Sequence, residues 1–445
     1  MTGAVSGTEP PPNTPSRAAV LVAQFFLPLN VVASQRALRM ARTLLSRFDR
    51  VYVLCGDTTA VDPRLLDREY GRELLENPRL VRVPVRPALG GYGYAAAPSR
   101  SQRLIGGVAT RLLCGPGVDW VRPLRSALAK IPQSEVGLVI ATGAPFITFG
   151  AAATLAEARS VPLILDYRDL WTSNPHGPYP ALARSLVNRI IERPVNRKAA
   201  LITTVSDGCR ASLVANGTAV PVRVLYNSPD RPYLDHYRRV VAEWNHRRVG
   251  LSDRARQRFR IVFTGQVYRN CTFAPLLKAI KTLPASVAER IVLEYYGDSS
   301  LVARTECQEF GLSQLLSDHG PVSKDDSLRA MLDADLLLSL IHTDRESSDP
   351  AVTGHMSTKI YDYLLSGVPI LNIGPVNAEV NGFAVRVGHP AFHTLPADET
   401  AAMARLLEDM VSTPQRPKWE ALHVALPDFE STFSTILDEV RFKPR

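Results

Sequence analysis

Residues 357–371 read Ser-Thr-Lys-Ile-Tyr-Asp-Tyr-Leu-Leu-Ser-Gly-Val-Pro-Ile-Leu, and no other stretch of the chain is as informative. The pattern predicts a helix that begins near Thr358 and ends at Gly367, followed by a buried apolar strand. Lys359 and Asp362 are three positions apart, so they share one face of that helix. A helix, a terminating glycine and an apolar strand in this order are typical of α/β domains built on parallel sheets.

The polar residues of this stretch suit a nucleotide. The amide groups at the helix start, the Thr358 hydroxyl and the Lys359 ammonium favour a phosphate. The Asp362 carboxylate can accept hydrogen bonds from ribose hydroxyls. From the spacing alone, a surface salt bridge on an ordinary helix-strand unit explains the same residues.

Outward from this stretch, apolar runs alternate with helical patterns along the whole chain, which predicts strand-helix-strand units and parallel sheets. The pattern predicts two doubly wound α/β domains that face each other across a cleft, where ligands bind at the carboxyl ends of strands. The predicted strands are 18–23, 51–54, 81–85, 138–141, 162–165, 201–205, 260–264, 291–296, 336–341 and 369–373.

Composition shifts indicate the boundaries of these units. Residues 1–17 are rich in Pro, Ser and Thr and predict a flexible tail without a signal peptide. Residues 18–228 form the first Rossmann-like domain, residues 229–258 a charged, proline-containing linker, and residues 259–425 the second Rossmann-like domain. A C-terminal helix is expected within residues 426–445, with a return to the first domain as one option.

The bulk composition excludes several classes of protein. The chain has 445 residues, of which 45% are hydrophobic and 21% charged, as in ordinary globular proteins. Its five cysteines are scattered and form no Cys-x-x-Cys pair, which favours a reducing cytoplasm over a disulfide framework or a zinc site. The sequence lacks a nucleophile-elbow serine, a P-loop and a metal-ligand spacing. It therefore does not carry the motifs of hydrolases, ATPases or metalloenzymes.

Positive charge is concentrated in the first half. Residues 1–250 carry 32 Lys and Arg against 18 Asp and Glu, whereas residues 251–445 carry 20 against 25. A basic half can bind anionic lipid headgroups, a phosphorylated acceptor or nucleic acid, or it can be a solvated face. No nucleic-acid-binding motif accompanies it, so nucleic acid is not an expected partner. The excess includes five arginines along one predicted helix: Arg36, Arg39, Arg42, Arg47 and Arg50.

Six segments in order resemble the GT-B glycosyltransferases, in particular the family 4 group. The first, Leu-Asp-Tyr-Arg-Asp-Leu-Trp at 165–171, is similar to the family's Asp-x-Arg-Asp-x-Trp segment. The others resemble a strand before a helix, the start of the linker, the donor phosphate loop, the turn that holds the base and the donor helix. They are residues 200–206, 224–230, 263–268, 319–323 and 359–369.

The resemblance implies a GT-B architecture and the transfer of a sugar from a nucleotide-diphosphate sugar to an acceptor hydroxyl. It also implies retention of configuration, no metal and no cofactor beyond the co-substrate. The acceptor is then a glycan, a lipid-linked molecule or a small molecule. The basic first half favours a lipid-linked or anionic glycan intermediate, and a cytoplasmic protein at the inner membrane face. A sugar-nucleotide epimerase and a non-catalytic nucleotide-sugar-binding partner of another transferase are the alternatives.

The resemblance also assigns site residues. Lys359 and Arg269 would neutralise the departing phosphate, although Arg269 could equally be an exposed loop residue. Asp166, Arg168 and Asp169 would line the acceptor side, unless they form an ion-pair network that orders the loop before Trp171. The implied donor-binding residues are Gly265, Gln266, Gly297, Val322, Gly354, His355, Thr358 and Asp362.

Each donor-binding residue has an expected contact. The amides of Gly265 and Gln266 would approach phosphate, Gly297 would leave room for the nucleotide, and the Val322 backbone would bind the base. Asp362 would bind the ribose, with a carboxylate one methylene shorter than the family's usual glutamate.

The sequence departs from the family at the sugar site. Many family members carry an acid at the position of Gly354. The amides of Gly354 and His355, or the His355 ring, are then the candidates for sugar recognition, although His355 could equally be a packed histidine. Residues 27–34 contain no glycine, which predicts a remodelled acceptor side.

Overall fold

The structure is a computed structural model, and it describes most of both predicted domains. The predicted N-terminal tail and Arg269 lie outside the described residues. The described residues are 18–29, 31–59, 61, 63, 66–67, 71–87, 118–132, 134–174, 181–248, 258–267, 270–343, 347–413 and 424–440.

The first domain is built on a seven-stranded sheet, all parallel, in the order β3-β2-β1-β4-β5-β6-β7. Its strands read as continuous apolar runs because helices cover both faces of the sheet. The strands are β1 (Ala18–Val22), β2 (Arg50–Gly56), β3 (Leu80–Val85), β4 (Val136–Gly143), β5 (Leu163–Tyr167), β6 (Leu201–Thr204) and β7 (Val222–Val224).

The helices of this domain alternate with its strands. One of them continues from an α-helix through a π-helical turn, Asn188–Glu192, into a further α-helical turn. The helices are α1 (Val32–Leu45), α2 (Arg72–Leu75), α3 (Val118–Leu128), α4 (Thr148–Arg159), α5 (Ala181–Val187), α6 (Arg193–Asn196) and α7 (Asp207–Ala215).

The second domain has a six-stranded parallel sheet in the order β10-β9-β8-β11-β12-β13. Its strands are β8 (Phe259–Thr264), β9 (Ile291–Tyr296), β10 (Leu316–Asp318), β11 (Leu336–Leu340), β12 (Ile370–Ile373) and β13 (Phe392–Leu395). Its helices are α9 (Ala274–Lys281), α10 (Ala285–Ala288), α11 (Ser300–Glu309), α12 (Lys324–Leu332), α13 (Pro350–Thr353), α14 (Lys359–Ser366), α15 (Glu379–Arg386) and α16 (Thr400–Ser412).

Both strand orders are those of a doubly wound sheet, so the predicted pair of parallel-sheet domains is confirmed. In each domain the order reverses beside the first strand, between β1 and β4 and between β8 and β11. Ligands of such sheets bind at this reversal, beyond the carboxyl ends of the strands.

Two helices connect the domains. The segment predicted as a linker contains α8 (Arg231–Arg248), whose Tyr237, Val240 and Trp244 pack into the second domain. Leu426 still packs against the second domain, whereas Phe429 begins α17 (Phe429–Glu439), which packs on α1 of the first domain. The chain therefore passes between the domains twice.

Among the described residues, no helix combines the length and the apolar character needed to cross a membrane. The uncharged run at 136–156 is divided between strand β4 and helix α4. This is the strand-turn-helix arrangement that the internal Gly-Ala-Pro favours over a membrane span.

Candidate functional site

Lys359 is the first residue of α14, and its side chain reaches the carboxyl end of β8. Its Nζ lies 3.5 Å from the ring centroid of Phe263. No carboxylate in the described part of the chain forms a salt bridge with it. Burial lowers the pKa of Lys359 to about 7. The ammonium is thus at the strand-order reversal with little compensation of its charge, which suits an anionic ligand.

Gly265 follows β8 directly and lies against Lys359. Its φ is +98°, a conformation that side chains other than glycine rarely adopt. A Cβ at this position would lie 3.7 Å from the Lys359 Nζ. The Gly265 N–H donates to the Tyr296 carbonyl at 2.7 Å. The prediction that this amide binds phosphate is therefore wrong, because the sheet already uses it.

The two other predicted residues of this loop differ in their surroundings. A Cβ on Gly297 would lie 2.1 Å from the Gly265 carbonyl oxygen. Gly297 thus leaves room for the neighbouring backbone, which corrects the prediction that it makes space for the nucleotide. Gln266 is exposed at the end of β8, and its predicted phosphate contact stays a prediction.

Asp362 is nearly buried one turn after Lys359, with 6% of its surface exposed. It accepts a hydrogen bond from the Tyr233 hydroxyl at 2.5 Å and pairs with the Lys324 ammonium at 2.5 Å. Asp362 and Lys359 therefore share a helix, but each has a different environment. The side of Asp362 that faces solvent is covered by Lys324, of which about half remains exposed.

The turn predicted to hold the base lies between β10 and α12. His319 stacks on Tyr296 with ring centroids 4.4 Å apart and planes 3° from parallel. Val322 is 40% exposed. Ser323 caps α12 by accepting from the Asp326 N–H. The turn thus presents an exposed apolar side chain two residues before Lys324, which pairs with Asp362.

The amides proposed for sugar recognition are already used. The Gly354 N–H donates to the Pro350 carbonyl at 2.9 Å and the His355 N–H to the Val352 carbonyl at 3.2 Å. Both amide predictions are therefore wrong. The His355 ring is exposed and lies edge-on to His342, with centroids 5.7 Å apart, so it stays the candidate.

Thr358 caps the start of α14 from an exposed position without a side-chain hydrogen bond to the helix. Its hydroxyl therefore lies at the predicted helix start, one residue before Lys359. Its contact with phosphate stays a prediction.

In the first domain, Asp166 lies at the end of β5 and is fully buried. The Arg36 guanidinium donates to both of its oxygens, at 2.9 and 2.6 Å, and the hydroxyls of Thr142 and Thr203 each donate at 2.7 Å. Burial acts to raise the pKa of Asp166, but Arg36 and the two hydroxyls outweigh it and hold the pKa below its ordinary value. Asp166 cannot contact an acceptor, so its predicted catalytic role is corrected to that of a structural anion.

Arg168 and Asp169 follow β5 with different environments. Arg168 is half-buried, and its guanidinium donates to the carbonyls of Gly143 at 2.7 Å and Ala33 at 3.0 Å. It therefore joins the end of β4 to the first turn of α1, and its role towards an acceptor stays a prediction. Asp169 is exposed, and its predicted role at the acceptor side stays a prediction.

The five arginines of the predicted basic helix are engaged within the protein. Arg36 and Arg39 are buried, and the other three are at most half exposed. Their partners are Asp166 for Arg36, the Asn227 carbonyl for Arg39, Asp230 and Glu73 for Arg42, Asp438 for Arg47 and Glu135 for Arg50. They do not form an exposed surface for anions.

The two domains meet through a contact that we call the clasp: Gly208, Tyr226, Gly354 and Glu379. Glu379 accepts from the N–H groups of Asp207 and Gly208 at 2.8 and 2.7 Å, and from the Tyr226 hydroxyl at 3.0 Å. A second-domain carboxylate thus caps first-domain helix α7. A Cβ on Gly208 would lie 2.4 Å from the Gly354 Cα, so the backbones touch.

Residues 33–228 match the glycosyl transferase 4-like domain. No curated protein sequence matches the chain. With this match, and with the solved structures that share the fold, the predicted resemblance of this chain to GT-B glycosyltransferases is confirmed.

Solved structures similar to this chain share its fold over nearly the full length. HepE from Anabaena, in complex with UDP and glucose, is 14% identical with a TM-score of 0.54, covering 95% of each chain. Sucrose-phosphate synthase from Thermosynechococcus elongatus is 13% identical with a TM-score of 0.58, covering 95% of this chain and 94% of that one. WaaG, a glycosyltransferase involved in lipopolysaccharide biosynthesis, is 14% identical with a TM-score of 0.52, covering 95% of each.

Sequence reasoning missed three residues near the donor helix. Tyr233 and Lys324 contact Asp362 from α8 and α12, which are distant in sequence. Lys324 directly follows the predicted base turn, and this was the available signal. His342 is buried just after β11 with a φ of +47°, unusual for a histidine, and no pattern in the sequence marks it.

Proposed function

We propose that this protein transfers a sugar from a nucleotide-diphosphate donor to an acceptor hydroxyl. The observation that carries the proposal is the pair on α14: Lys359 at the end of β8 and Asp362 beside the base turn. In the proposed complex, Lys359 faces the diphosphate, Asp362 the ribose and Val322 the base. This order runs from the strand-order reversal beside β8, where doubly wound folds bind nucleotides, towards the turn after the edge strand β10.

The chemistry needs a cation at the leaving group. When the sugar departs, negative charge grows on the phosphate, and the Lys359 ammonium would stabilise it in a site of low polarity. Retention of configuration and metal independence follow from the family resemblance. Closure of the domains would exclude water, which otherwise competes with the acceptor.

Binding of the donor is the first test. HepE was solved with UDP, so we expect UDP to raise the melting temperature of this protein in a thermal-shift screen that also includes GDP and ADP. Asp362→Ala should abolish most of the shift, and Asp326→Ala, an exposed acid on α12, should leave it unchanged. No shift with any nucleotide or nucleotide sugar would contradict the proposal.

An epimerase is the second candidate, because the UDP-GlcNAc 2-epimerase of Methanocaldococcus jannaschii has a similar fold with a TM-score of 0.51 at 12% identity. Incubation with the donor alone separates the two. An epimerase changes the sugar, whereas a transferase needs an acceptor. Donor binding without turnover across a panel of acceptors would instead favour a non-catalytic partner.

We further propose that the acceptor is met at an anionic membrane surface. Helix α5 and the turn after it expose Leu182, Leu186 and Ile190, with 88%, 58% and 62% of their surface accessible. They repeat every four residues, so they lie along one side of the helix. The exposed Arg189 and Arg197 flank this stripe, and Glu192, the one acid of residues 181–198, is buried. Exposed aliphatic side chains beside arginines suit the interface of an anionic bilayer.

Vesicle sedimentation tests this surface. We expect the protein to bind vesicles of phosphatidylglycerol and phosphatidylcholine at low salt, and Leu186→Ser with Ile190→Ser to weaken binding about tenfold, as expected for loss of buried apolar area. Leu301→Ser is the control, because Leu301 is a leucine of the second domain with 79% of its surface exposed. Equal binding by the double variant and the wild type would contradict the assignment.

A further inference from the structure

The predicted ribose ligand, Asp362, is already occupied by a side chain of the protein. Lys324 Nζ lies 2.5 Å from Asp362 Oδ2, and the same ammonium lies 5.4 Å from the Tyr233 ring centroid. Tyr233 holds the other carboxylate oxygen from the buried side. A carboxylate with both oxygens held is fixed in orientation but not saturated, since each oxygen can accept more than one hydrogen bond.

The solvent exposure of Lys324 determines how this side chain can act at the ribose site. Asp362 has 9% of its side chain exposed and Lys324 has 51%, so the lysine lies on the open side of the acid. Lys324 also follows Val322 and Ser323, the turn proposed to hold the base. A ribose bound between that turn and Asp362 would approach along the side from which the ammonium comes.

We propose that Lys324 acts as an internal ligand of the ribose site, one that a nucleotide must displace. This inference rests on the proposed function. In the protein without donor, the ammonium satisfies Asp362; on binding, the two ribose hydroxyls take its place as donors to the carboxylate. The exchange makes affinity depend on the intact diol, because a sugar with a single hydroxyl replaces a charge-assisted bond less well.

The side-chain length of Asp362 fits this role. Asp362 carries its carboxylate on a single methylene, so a partner has to reach towards the helix to meet it. The four-carbon stem of Lys324 covers that distance and brings its ammonium to hydrogen-bond distance. Lys324 is thus a specificity-determining residue for the nucleotide, and not one that contacts the reacting atoms.

Titration calorimetry with UDP and 2′-deoxy-UDP tests the proposal, with GDP and its 2′-deoxy form used if the screen selects guanine. Lys324→Met should bind the ribonucleotide about two- to fivefold more tightly than the wild type, the range expected for removal of a partly exposed ion pair. The deoxy form should gain more, because it no longer has to replace the charge-assisted bond, so that discrimination between the two falls. Lys324→Arg, which keeps the pair, should stay within about twofold of the wild type.

Arg329→Met is the matched control, since it removes one positive charge from the same helix. Arg329 pairs with Asp326 and Glu243 and does not touch Asp362. Its nucleotide affinity should equal that of the wild type. Equal or weaker binding by Lys324→Met, with the wild type binding normally, would overturn this inference alone. Absence of binding by the wild type and by Arg329→Met would instead reject the proposed function.

Discussion

The charge of Lys359 is costly in its surroundings. Desolvation beside Phe263 lowers the pKa of this residue from its ordinary 10.5 to about 7. Between those two values the unfolded chain holds the proton and the folded protein releases it. The contribution of Lys359 to the free energy of unfolding therefore rises with pH across this window.

A bound diphosphate should reverse this balance by favouring the charged lysine. We expect nucleotide binding at pH 8 to be accompanied by proton uptake, measured by calorimetry in buffers of different ionisation enthalpy. Affinity should fall by up to about tenfold per pH unit above 7, because the empty site must first be protonated. Lys359→Met should lose the uptake, and wild-type binding at pH 8 without it would contradict the assignment.

The buried pair of Arg36 and Asp166 leads to a prediction about stability. Asp166→Ala leaves the Arg36 guanidinium buried without its carboxylate, so we expect the free energy of unfolding to fall by about 3–5 kcal/mol in denaturant titrations. Arg47→Met removes a partly exposed pair with Asp438 and should cost no more than about 1 kcal/mol. Similar losses for both variants would show that Asp166 is not the structural anion described above.

For individual residues, the sequence predicted where each one lies in the fold better than what its side chain or amide group contacts. Lys359 lies at the helix start as the spacing indicated, because local periodicity and a terminating glycine determine that helix. The partners of Asp362 could not be predicted, because Tyr233 and Lys324 come from helices that only tertiary packing brings together. The amides of Gly265, Gly354 and His355 failed as ligands for the same reason, since a sequence does not show which N–H groups the fold has already paired.

At the scale of elements, α17 belongs to the first domain despite its place at the end of the chain. Phe429, Phe433 and Ile436 are buried in the core that also contains β1, β2 and α1. Arg36 and Arg39 lie over the Phe429 ring at 5.6 and 5.9 Å. The helix therefore covers the arginine-rich side of α1 and keeps it from solvent.

Shortening a buried side chain of α17 should destabilise the first domain. Phe433→Ala removes a fully buried ring, so we expect a loss of about 3–5 kcal/mol in the free energy of unfolding. Thr435→Ala, exposed on the same helix, should change it by less than about 0.5 kcal/mol. A Phe433→Ala variant as stable as Thr435→Ala would indicate that α17 is only loosely attached.

Most strands could be predicted because parallel strands covered on both faces are continuous apolar runs. The short strands β7, β10 and β13 were missed, since three or four residues such as Leu316–Asp318 carry little pattern. The high arginine content of α1 was predicted correctly. The prediction that these arginines form an exposed surface was wrong. Whether an arginine faces solvent depends on the carboxylates that other elements bring to it.

For the whole molecule, the clasp sets how closely the domains approach. Gly208 and Gly354 touch through their backbones, and Glu379 caps α7 across the gap. Because each glycine leaves no space for a methyl group, this arrangement requires both residues to lack a side chain.

Gly208→Ala should therefore hold the domains apart. We expect a larger radius of gyration in small-angle X-ray scattering, and a smaller gain in compactness when nucleotide is added. Gly150→Ala is the matched control, because a Cβ there meets nothing within 4 Å. Scattering curves of Gly208→Ala that superimpose on those of the control would show that the clasp does not limit the approach.

The two passages of the chain between the domains lie next to each other. Arg42 of α1 pairs with Asp230, directly before α8, and the returning helix α17 packs on the same helix α1. Two adjacent connections let the domains rotate about one line but resist sliding and twisting of one domain against the other. The two domains should thus hinge apart about that line, so that donors enter and products leave on the side of the cleft opposite the two connections.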